Sequence, residues 1–264
     1  MVERADWVGL VRSRNDDFDR LVLTVPNASA VGTWSGPFRG IASDGREYFV
    51  KSMATCPAGQ QMSLAIERVV AEVGQLINAP VCTTSLIRIP ALLARWEPRP
   101  GIAVGEGLAH ASLALTRADE QGRPRLAARG QDDNRRRHVG VYGLFDWCCG
   151  ADNQWLYDLN SDCTLYSHDH GLYLPPVGTG SITEADLQSE LNTPYVLPDD
   201  PAGLSPAAVA EVSAVLDAVT QSDLAAILNH VPASWPVNDE LLETLGWFLE
   251  HRAPAVANRL RSLI

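Results

Sequence analysis

Apolar and polar residues alternate in short runs along the first half of the chain, a pattern typical of half-buried β-strands. Two runs, 38–42 and 47–50, flank the turn sequence Ser-Asp-Gly-Arg at 43–46, so we expect a hairpin there. Further runs predict strands over 21–25, 81–89 and 108–116. Between them, apolar residues spaced three and four positions apart predict a helix over 60–77. The first half is therefore predicted to be a sheet with one main helix.

The second half is predicted to be mostly helical. Apolar residues at helical spacing predict helices over 139–149, 184–191, 206–228 and 239–263, and a short amphipathic helix within residues 1–20. The polar stretch 117–134 has no periodicity, and we interpret it as a connector between two lobes. We expect an α+β fold with a small β-rich N-lobe at 1–117 and a mostly helical C-lobe at 118–264.

Length and composition are those of a globular protein with a full core. The chain has 264 residues, of which 46% are hydrophobic and 20% charged. It has no apolar run of about eighteen residues, so no membrane span is expected. The start, Met-Val-Glu-Arg, does not resemble a secretory signal, and the five cysteines form no CxxC pair. These features predict a location in the reducing cytoplasm.

The net charge of −11 argues against nucleic acid as a partner, because a nucleic-acid binder needs a basic surface. The one basic cluster, Arg135 to His138, follows two aspartates and is interpreted as a solvated loop. A membrane-binding basic patch is not evident either.

Lysine is nearly absent from the chain. Of the 21 lysine and arginine residues, a single one is lysine, Lys51. Arginine can replace a lysine at most surface positions, so the one that is retained indicates a position that needs a compact ammonium group. Lys51 directly follows residues 47–50 and ends the predicted strand. It shares one face of the strand with Phe49, whereas Tyr48 and Val50 are on the other face. From such a strand end a lysine can reach the phosphates of a bound nucleotide.

Two neighbouring segments offer partners for Lys51. The helix over 60–77 carries Glu67 and Glu72, and we prefer Glu67 as the ion-pair partner because it lies nearer the start of the helix. Before the hairpin, residues 27–36 are small and polar, without a recognised phosphate-loop motif. Ser29, Gly32 and Ser35 are candidates there for covering a phosphate with their hydroxyl and amide groups.

Two aspartates flank a predicted hairpin in the middle of the chain. Asp152 precedes the apolar run 155–157, and Asp169 follows the second apolar pair at 165–166 in the sequence Asp-His-Gly. An Asn-Ser-Asp turn at 160–162 separates the runs, so both acids should lie at one end of the hairpin. Phosphotransferases hold a catalytic base beside a metal ligand in this way.

The order of these parts is that of the bilobal protein-kinase-like fold, and the chain resembles the HipA-like kinase family. The resemblance is carried by VK at 50–51, ERVVAEVGQLINAPV at 67–81, ADNQWLY at 151–157, SHDHGLYLP at 167–175 and VPASWP at 231–236. These segments span most of the chain, and the acid hairpin is the most specific of them.

The resemblance implies an ATP-dependent kinase that uses Mg²⁺. Lys51 would hold the α- and β-phosphates, Glu67 would orient Lys51, and Asp152 would accept or position the substrate hydroxyl. Asp169 would bind Mg²⁺, and Gly171 would let the backbone turn sharply behind it. Kinases carry a second metal ligand a few residues after the catalytic acid; here that ligand is Gln154 or Asn153, and we favour Gln154.

Several alternatives remain open from the sequence. The compressed metal-ligand loop is compatible with a nucleotide-binding pseudokinase without turnover. A metal-dependent hydrolase is less favoured; in it His168 and His170 would bind Zn²⁺ with His138 or His110. For a kinase, the acceptor is expected to be a Ser or Thr of a protein, or a small hydroxyl compound. A regulatory partner resembling an antitoxin is also compatible with the family.

Overall fold

Five strands in the first half of the chain close into a barrel. In the computed structural model, which describes residues 3–18, 21–27, 36–121 and 126–264, the barrel order is β1-β2-β3-β5-β4. The strands are β1 (Leu21–Asn27), β2 (Phe38–Ala42), β3 (Glu47–Lys51), β4 (Thr84–Ile89) and β5 (Gly107–Leu113). The parallel pairing of β1 with β4 closes it. The predicted strands and the hairpin at 43–46 are confirmed, with small shifts at their ends.

Strand alternation separates an apolar inner face of the barrel from an outer face that carries Lys51. Tyr48 and Val50 are buried in the barrel core together with Phe38 and Ile87. Phe49 and Lys51 point to the opposite face, as the period of two along a strand requires. The predicted orientation of Lys51 is therefore confirmed.

Helix α1 (Ser63–Leu76) follows β3 and packs away from the barrel interior. Its apolar face, which includes Leu64, Ile66 and Val73, is buried in the larger core that the second half of the chain supplies. Helix α1 thus contributes to the larger core, and Trp235, which donates to the carbonyl of Leu108 on β5, adds another contact between the barrel and the helical region. The division of the chain at residue 117 stays a prediction.

A second, three-stranded antiparallel sheet begins the other half of the chain. It has the order β6 (Ala118–Gln121), β7 (Trp155–Asp158) and β8 (Thr164–Ser167), with α2 (Asn134–Trp147) between β6 and β7. The β7–β8 pairing confirms the predicted hairpin. Strand β6 lies in the stretch interpreted as a connector, and that interpretation missed it because its residues are charged and its order comes from pairing with β7.

The basic cluster is not a loop. Arg135 to Arg137 form the first turn of α2, where Arg137 pairs with Asp132. His138 is completely buried.

Four helices complete the chain: α3 (Glu184–Ser189), α4 (Pro206–Ala218), α5 (Gln221–Asn229) and α6 (Asp239–Arg261). The prediction of one helix over 206–228 is wrong. Thr220 accepts a hydrogen bond from the amide of Asp223, whose carboxylate accepts one from the Thr220 amide, so a new helix begins at that point. Within the described ranges, no helix combines the length and apolar character that a bilayer crossing needs.

The N-terminal segment lies against α6. The amphipathic helix predicted within residues 1–20 is wrong for residues 3–18, which contain a single 3₁₀ turn, Arg4–Trp7. Trp7 donates to Glu250 at 2.8 Å, and the amide of Gly9 donates to Glu243 at 2.6 Å. Because α6 side chains satisfy these donors, an extended path is as well bonded as a helix would be.

Replacement of Gly246 tests this docking. A Cβ at this position would overlap the indole of Trp7, so we expect Gly246→Ala to destabilise the protein by about 1–3 kcal/mol. The measurement is urea unfolding followed by tryptophan fluorescence. Gly130→Ala is the matched control, because a Cβ there meets no atom within 4 Å. Equal stability of the two variants would contradict the docking.

Candidate functional site

A buried ammonium group lies between two carboxylates at the junction of the two halves. The Nζ of Lys51 donates to Oε2 of Glu67 at 2.7 Å and also to Oδ1 of Asp169. Lys51 ends β3, Glu67 lies on α1 and Asp169 follows β8, so three elements that are far apart in sequence meet at one nitrogen. The preference for Glu67 over Glu72 as the partner of Lys51 is confirmed.

The two carboxylates determine the charge state of Lys51. Burial disfavours the ammonium form, but the attraction of Asp169 and Glu67 outweighs it, and the pKa of Lys51 is raised above its ordinary value. Burial would likewise raise the pKa of Glu67, yet the Lys51 ammonium holds that pKa well below its usual range. The pair is therefore fully charged at neutral pH.

Glu67 is held from two sides. While Oε2 accepts from Lys51, Oε1 accepts from the backbone amide of His170 at 3.0 Å. Glu72, one turn further along α1, pairs instead with Arg68 and with His230, whose Nδ1 lies 2.9 Å away. Helix α1 is thus fixed to the segment after β8 by Glu67 and to α5 and its C-terminal cap by Glu72.

The backbone turns at Asp169 rather than at Gly171. Asp169 has a φ of 56° and a ψ of 52°, in the left-handed region that Asp tolerates better than most residues. Gly171 has no positive φ, so its predicted role in a sharp turn is wrong. A Cβ on Gly171 would lie 3.2 Å from Oε2 of Glu67 and 3.3 Å from the carbonyl oxygen of Ser63. Glycine therefore allows α1 to approach this segment closely.

Asp152 and Gln154 form a second polar pair before β7. The side-chain amide of Gln154 donates from Nε2 to Oδ2 of Asp152 at 2.6 Å. Oε1 of Gln154 takes no part in this bond and can accept from, or coordinate, a bound group. Trp155 pairs with Ser167 across the hairpin, so Asp152 and Asp169 extend from the same end of it. The carbonyl of Asp152 also accepts from the Tyr173 hydroxyl at 3.3 Å.

A cavity of about 540 Å³ lies between the outer face of the barrel and the second sheet. Among the predicted site residues, Lys51, Glu67, Gln154 and Asp169 line it. Asp152 is not among the lining residues, although Gln154, which donates to it, is. Asn153 is not among the lining residues either. The predicted phosphate-covering residues Ser29, Gly32 and Ser35 lie outside the described residues.

Several lining residues were not singled out from the sequence. The barrel contributes Arg39, Phe49 and Ser112, and β7 contributes Leu156. The guanidinium of Arg39 lies 5.0 Å from the centre of the Phe49 ring. The alternation along the strand predicted Phe49 on the same face as Lys51. The position of Arg39 and Ser112 in the cavity wall depends instead on strand pairing, because each of them lies opposite Phe49 on a neighbouring strand of the barrel.

The four histidines considered as metal ligands have different surroundings. His170 is buried, with Nε2 at 2.7 Å from the Ser167 hydroxyl, and His138 accepts from Arg129 at 3.0 Å. His110 and His168 line the cavity. Burial lowers the pKa of His110 and of His170 to about 4. In the part of the chain that the structure describes, no three His, Cys, Asp or Glu side chains are grouped to hold a metal ion.

Comparison with known proteins identifies the fold. No protein family and no curated protein matches the sequence. The structure is similar to the proinflammatory kinase CtkA of Helicobacter pylori, with a TM-score of 0.61 and 13% identity over 96% of this chain and 99% of that one. The chain has a protein-kinase-like fold.

Two structures of the Golgi casein kinase are also similar at lower scores. One has a TM-score of 0.48 and 10% identity, covering 98% of this chain and 76% of that one. The other, with Mn/ADP bound, has a TM-score of 0.49 and 9% identity, covering 100% of this chain and 77% of that one.

Removal of the Lys51 charge should reverse the pH dependence of stability. In the wild type, the stabilisation from the depressed pKa of Glu67 is present above the ordinary pKa of a glutamate and is lost as the pH falls. In Lys51→Met, the ammonium no longer opposes the burial of Glu67, whose pKa rises, so unfolding should cost about 3–5 kcal/mol less at neutral pH. That loss should shrink as the pH is lowered from about 7 to about 5.

Urea unfolding at several pH values measures this effect. Lys51→Arg, which keeps the charge, is the control and should retain the sign of the wild-type pH dependence. If Lys51→Met lost stability on acidification as the wild type does, the buried ion pair would not be what controls the pKa of Glu67.

Proposed function

We propose that this protein is an ATP-dependent kinase of the HipA-like kind, which transfers the γ-phosphoryl group to a hydroxyl acceptor. The observation that carries the proposal is the Lys51 ammonium, held by Glu67 and Asp169 at the edge of a cavity between the two sheets. A lysine fixed in this way presents a positive charge to phosphates at the position where a nucleotide would lie. The similarity in fold to a chain described as a kinase supports the same conclusion.

The cavity has two chemically different ends, which suit a nucleotide. Lys51, Asp169 and Gln154 form a polar end for the triphosphate. Away from them, Phe49, Leu113 and Leu156 offer apolar surfaces to a flat base, and Leu115 and Thr116 line the same region. Aromatic and aliphatic side chains above and below a ring bury both of its faces, so a purine fits this end.

The oxygen donors suit Mg²⁺. The carboxylate of Asp169 and the free Oε1 of Gln154 are hard ligands on one cavity, and a magnesium site needs only one or two protein oxygens when phosphates and water supply the rest. The ion would neutralise the charge that develops on the phosphates.

Asp152 is proposed to receive the proton. The hydroxyl oxygen of the acceptor forms a bond to the γ-phosphorus as the bond from that phosphorus to the bridging oxygen breaks, and ADP leaves. Asp152 takes the hydroxyl proton or orients the hydroxyl in line. The amide of Gln154 holds the Asp152 carboxylate at 2.6 Å and so fixes its orientation next to the metal ligand.

The acceptor that we favour is a Ser or Thr hydroxyl of a protein, with a small hydroxyl compound as the alternative. On the basis of the resemblance to HipA-like kinases, we also propose a regulatory partner that acts in the way an antitoxin does.

A second candidate is a nucleotide-binding regulatory module without turnover. It is favoured by the position of Asp152, which accepts from Gln154 and does not line the cavity. A carboxylate that is engaged in this way has one oxygen fewer to bond the hydroxyl of an acceptor.

Turnover and binding of ATP distinguish the candidates. We expect hydrolysis or transfer of γ-labelled phosphate by the wild type with Mg²⁺, and a reduction by at least about 100-fold in Asp152→Asn and Asp169→Asn. Nucleotide binding, measured by calorimetry, should survive in Asp152→Asn and weaken in Lys51→Met. Asp158→Asn, in the turn-side end of the same hairpin, is the matched control and should behave as the wild type.

Each other outcome has a definite meaning. Binding that depends on Lys51 without any turnover would replace the kinase by the regulatory module. Turnover that persists in Asp169→Asn, or the absence of nucleotide binding in the wild type, would overturn the proposal.

A further inference from the structure

The segment that follows α2 and the segment that follows β8 are tied to each other by two hydrogen bonds. The backbone amide of Leu174 donates to the carbonyl of Cys148, the C-terminal cap of α2, at 2.9 Å. The hydroxyl of Tyr173 donates to the carbonyl of Asp152 at 3.3 Å. The first bond lies directly after the helix, and the second reaches the proposed catalytic acid itself.

The side chain of Tyr173 is fixed by its surroundings. It is 2% exposed, and its ring lies nearly perpendicular to the rings of His170 and Phe145, with centroids 5.1 Å and 6.0 Å away. The His170 ring is in turn 2.7 Å from the Ser167 hydroxyl, and the His170 amide donates to Glu67. The Tyr173 hydroxyl therefore has a defined position relative to the ion pair of Lys51.

This hydroxyl is a lasting donor to the backbone of Asp152. Burial raises the pKa of Tyr173 well above its ordinary value, so the hydroxyl stays protonated. In the part of the chain that the structure describes, Asp152 has two hydrogen-bond partners, Gln154 at its carboxylate and Tyr173 at its carbonyl. Rotation about the bond from Cα to the carbonyl carbon is one of the two soft rotations of a residue, and a bond to the carbonyl oxygen restricts it.

We infer that Tyr173 is a positioning residue, whose hydroxyl fixes the loop of Asp152 against the segment that carries Asp169. A carboxylate assists transfer only when it is directed at the attacking hydroxyl, so a looser loop slows the chemical step. Tyr173 is not among the described residues that line the cavity, so nucleotide affinity should not depend on its hydroxyl. The inference rests on the proposed function, since it takes Asp152 to meet the acceptor.

Tyr173→Phe tests the role of the hydroxyl. The variant loses one oxygen atom and keeps the ring that packs against His170 and Phe145. We expect kcat for transfer of the γ-phosphoryl group, or for hydrolysis of ATP, to fall by at least about tenfold. The KM for ATP and the calorimetric Kd should stay within about threefold of the wild-type values, because Lys51 and Asp169 are retained.

Tyr48→Phe is the matched control. Tyr48 is also buried, at 1% exposed, and its hydroxyl donates to Asp44 at 2.8 Å in the hairpin between β2 and β3. The control thus removes a shorter hydrogen bond than the one at Tyr173, in the core of the barrel. We expect it to keep the wild-type kcat and KM, which excludes a general loss of stability as the cause.

A double variant distinguishes positioning from a purely structural effect. If the hydroxyl acts through the Asp152 carboxylate, adding Tyr173→Phe to Asp152→Asn should change kcat by no more than about threefold, because the group that it positions is already gone. A structural effect would instead reduce kcat by the full factor in both backgrounds.

The outcomes separate this inference from the proposed function. Turnover by the wild type with an unchanged kcat in Tyr173→Phe overturns the positioning role and leaves the kinase standing. So does a loss of kcat that nucleotide affinity follows equally, that Tyr48→Phe shares, or that persists in full in the double variant. If the wild type has no turnover, the kinase and the positioning role fall together.

Discussion

The buried contact of Lys51 with Glu67 and Asp169 constrains the whole structure, because the buried ammonium needs the two carboxylates to remain charged. An ammonium group removed from water is unfavourable by several kcal/mol unless opposite charges replace its hydration, on the order of what an entire domain has as net stability. The contact therefore requires β3, α1 and the segment after β8 to meet at one place. Around it, the backbone amide of His170 binds the remaining oxygen of Glu67, so the arrangement is fixed by bonds on more than one side.

The cavity lies between the separate cores of the barrel and the helical half, and it combines charged and apolar walls. Charged groups at Lys51 and Asp169 suit phosphates, and the apolar side chain of Phe49 suits a ring. One ligand with both kinds of group would satisfy both walls. The proposed kinase activity follows from that match of chemistry to position.

Local sequence determined those features that depend on neighbouring residues. The alternation of apolar and polar residues predicted the barrel strands and the face on which Lys51 lies. The turn between 155–157 and 165–166 predicted the hairpin that carries the two aspartates. The single lysine among 21 basic residues indicated the centre of the site from composition alone. The order of these parts along the chain indicated the bilobal protein-kinase-like fold, and the kinase-like fold is confirmed.

Only the tertiary structure decided features that depend on what lies across space. Strand β6 is charged and acquires its order from β7, and the segment that follows the 3₁₀ turn at Trp7 is not helical because α6 satisfies its amides at Gly9 and Val11. The break before α5 was missed for a different reason: its signal, the capping of the helix by Thr220, is local and was outweighed by an apolar periodicity that continues through it. The closeness of Gly171 to α1 and the unpaired nitrogens of His110 and His168 follow from distances between separate elements. Periodicity reports which face of an element is apolar, whereas the partner of that face is set by how the elements pack.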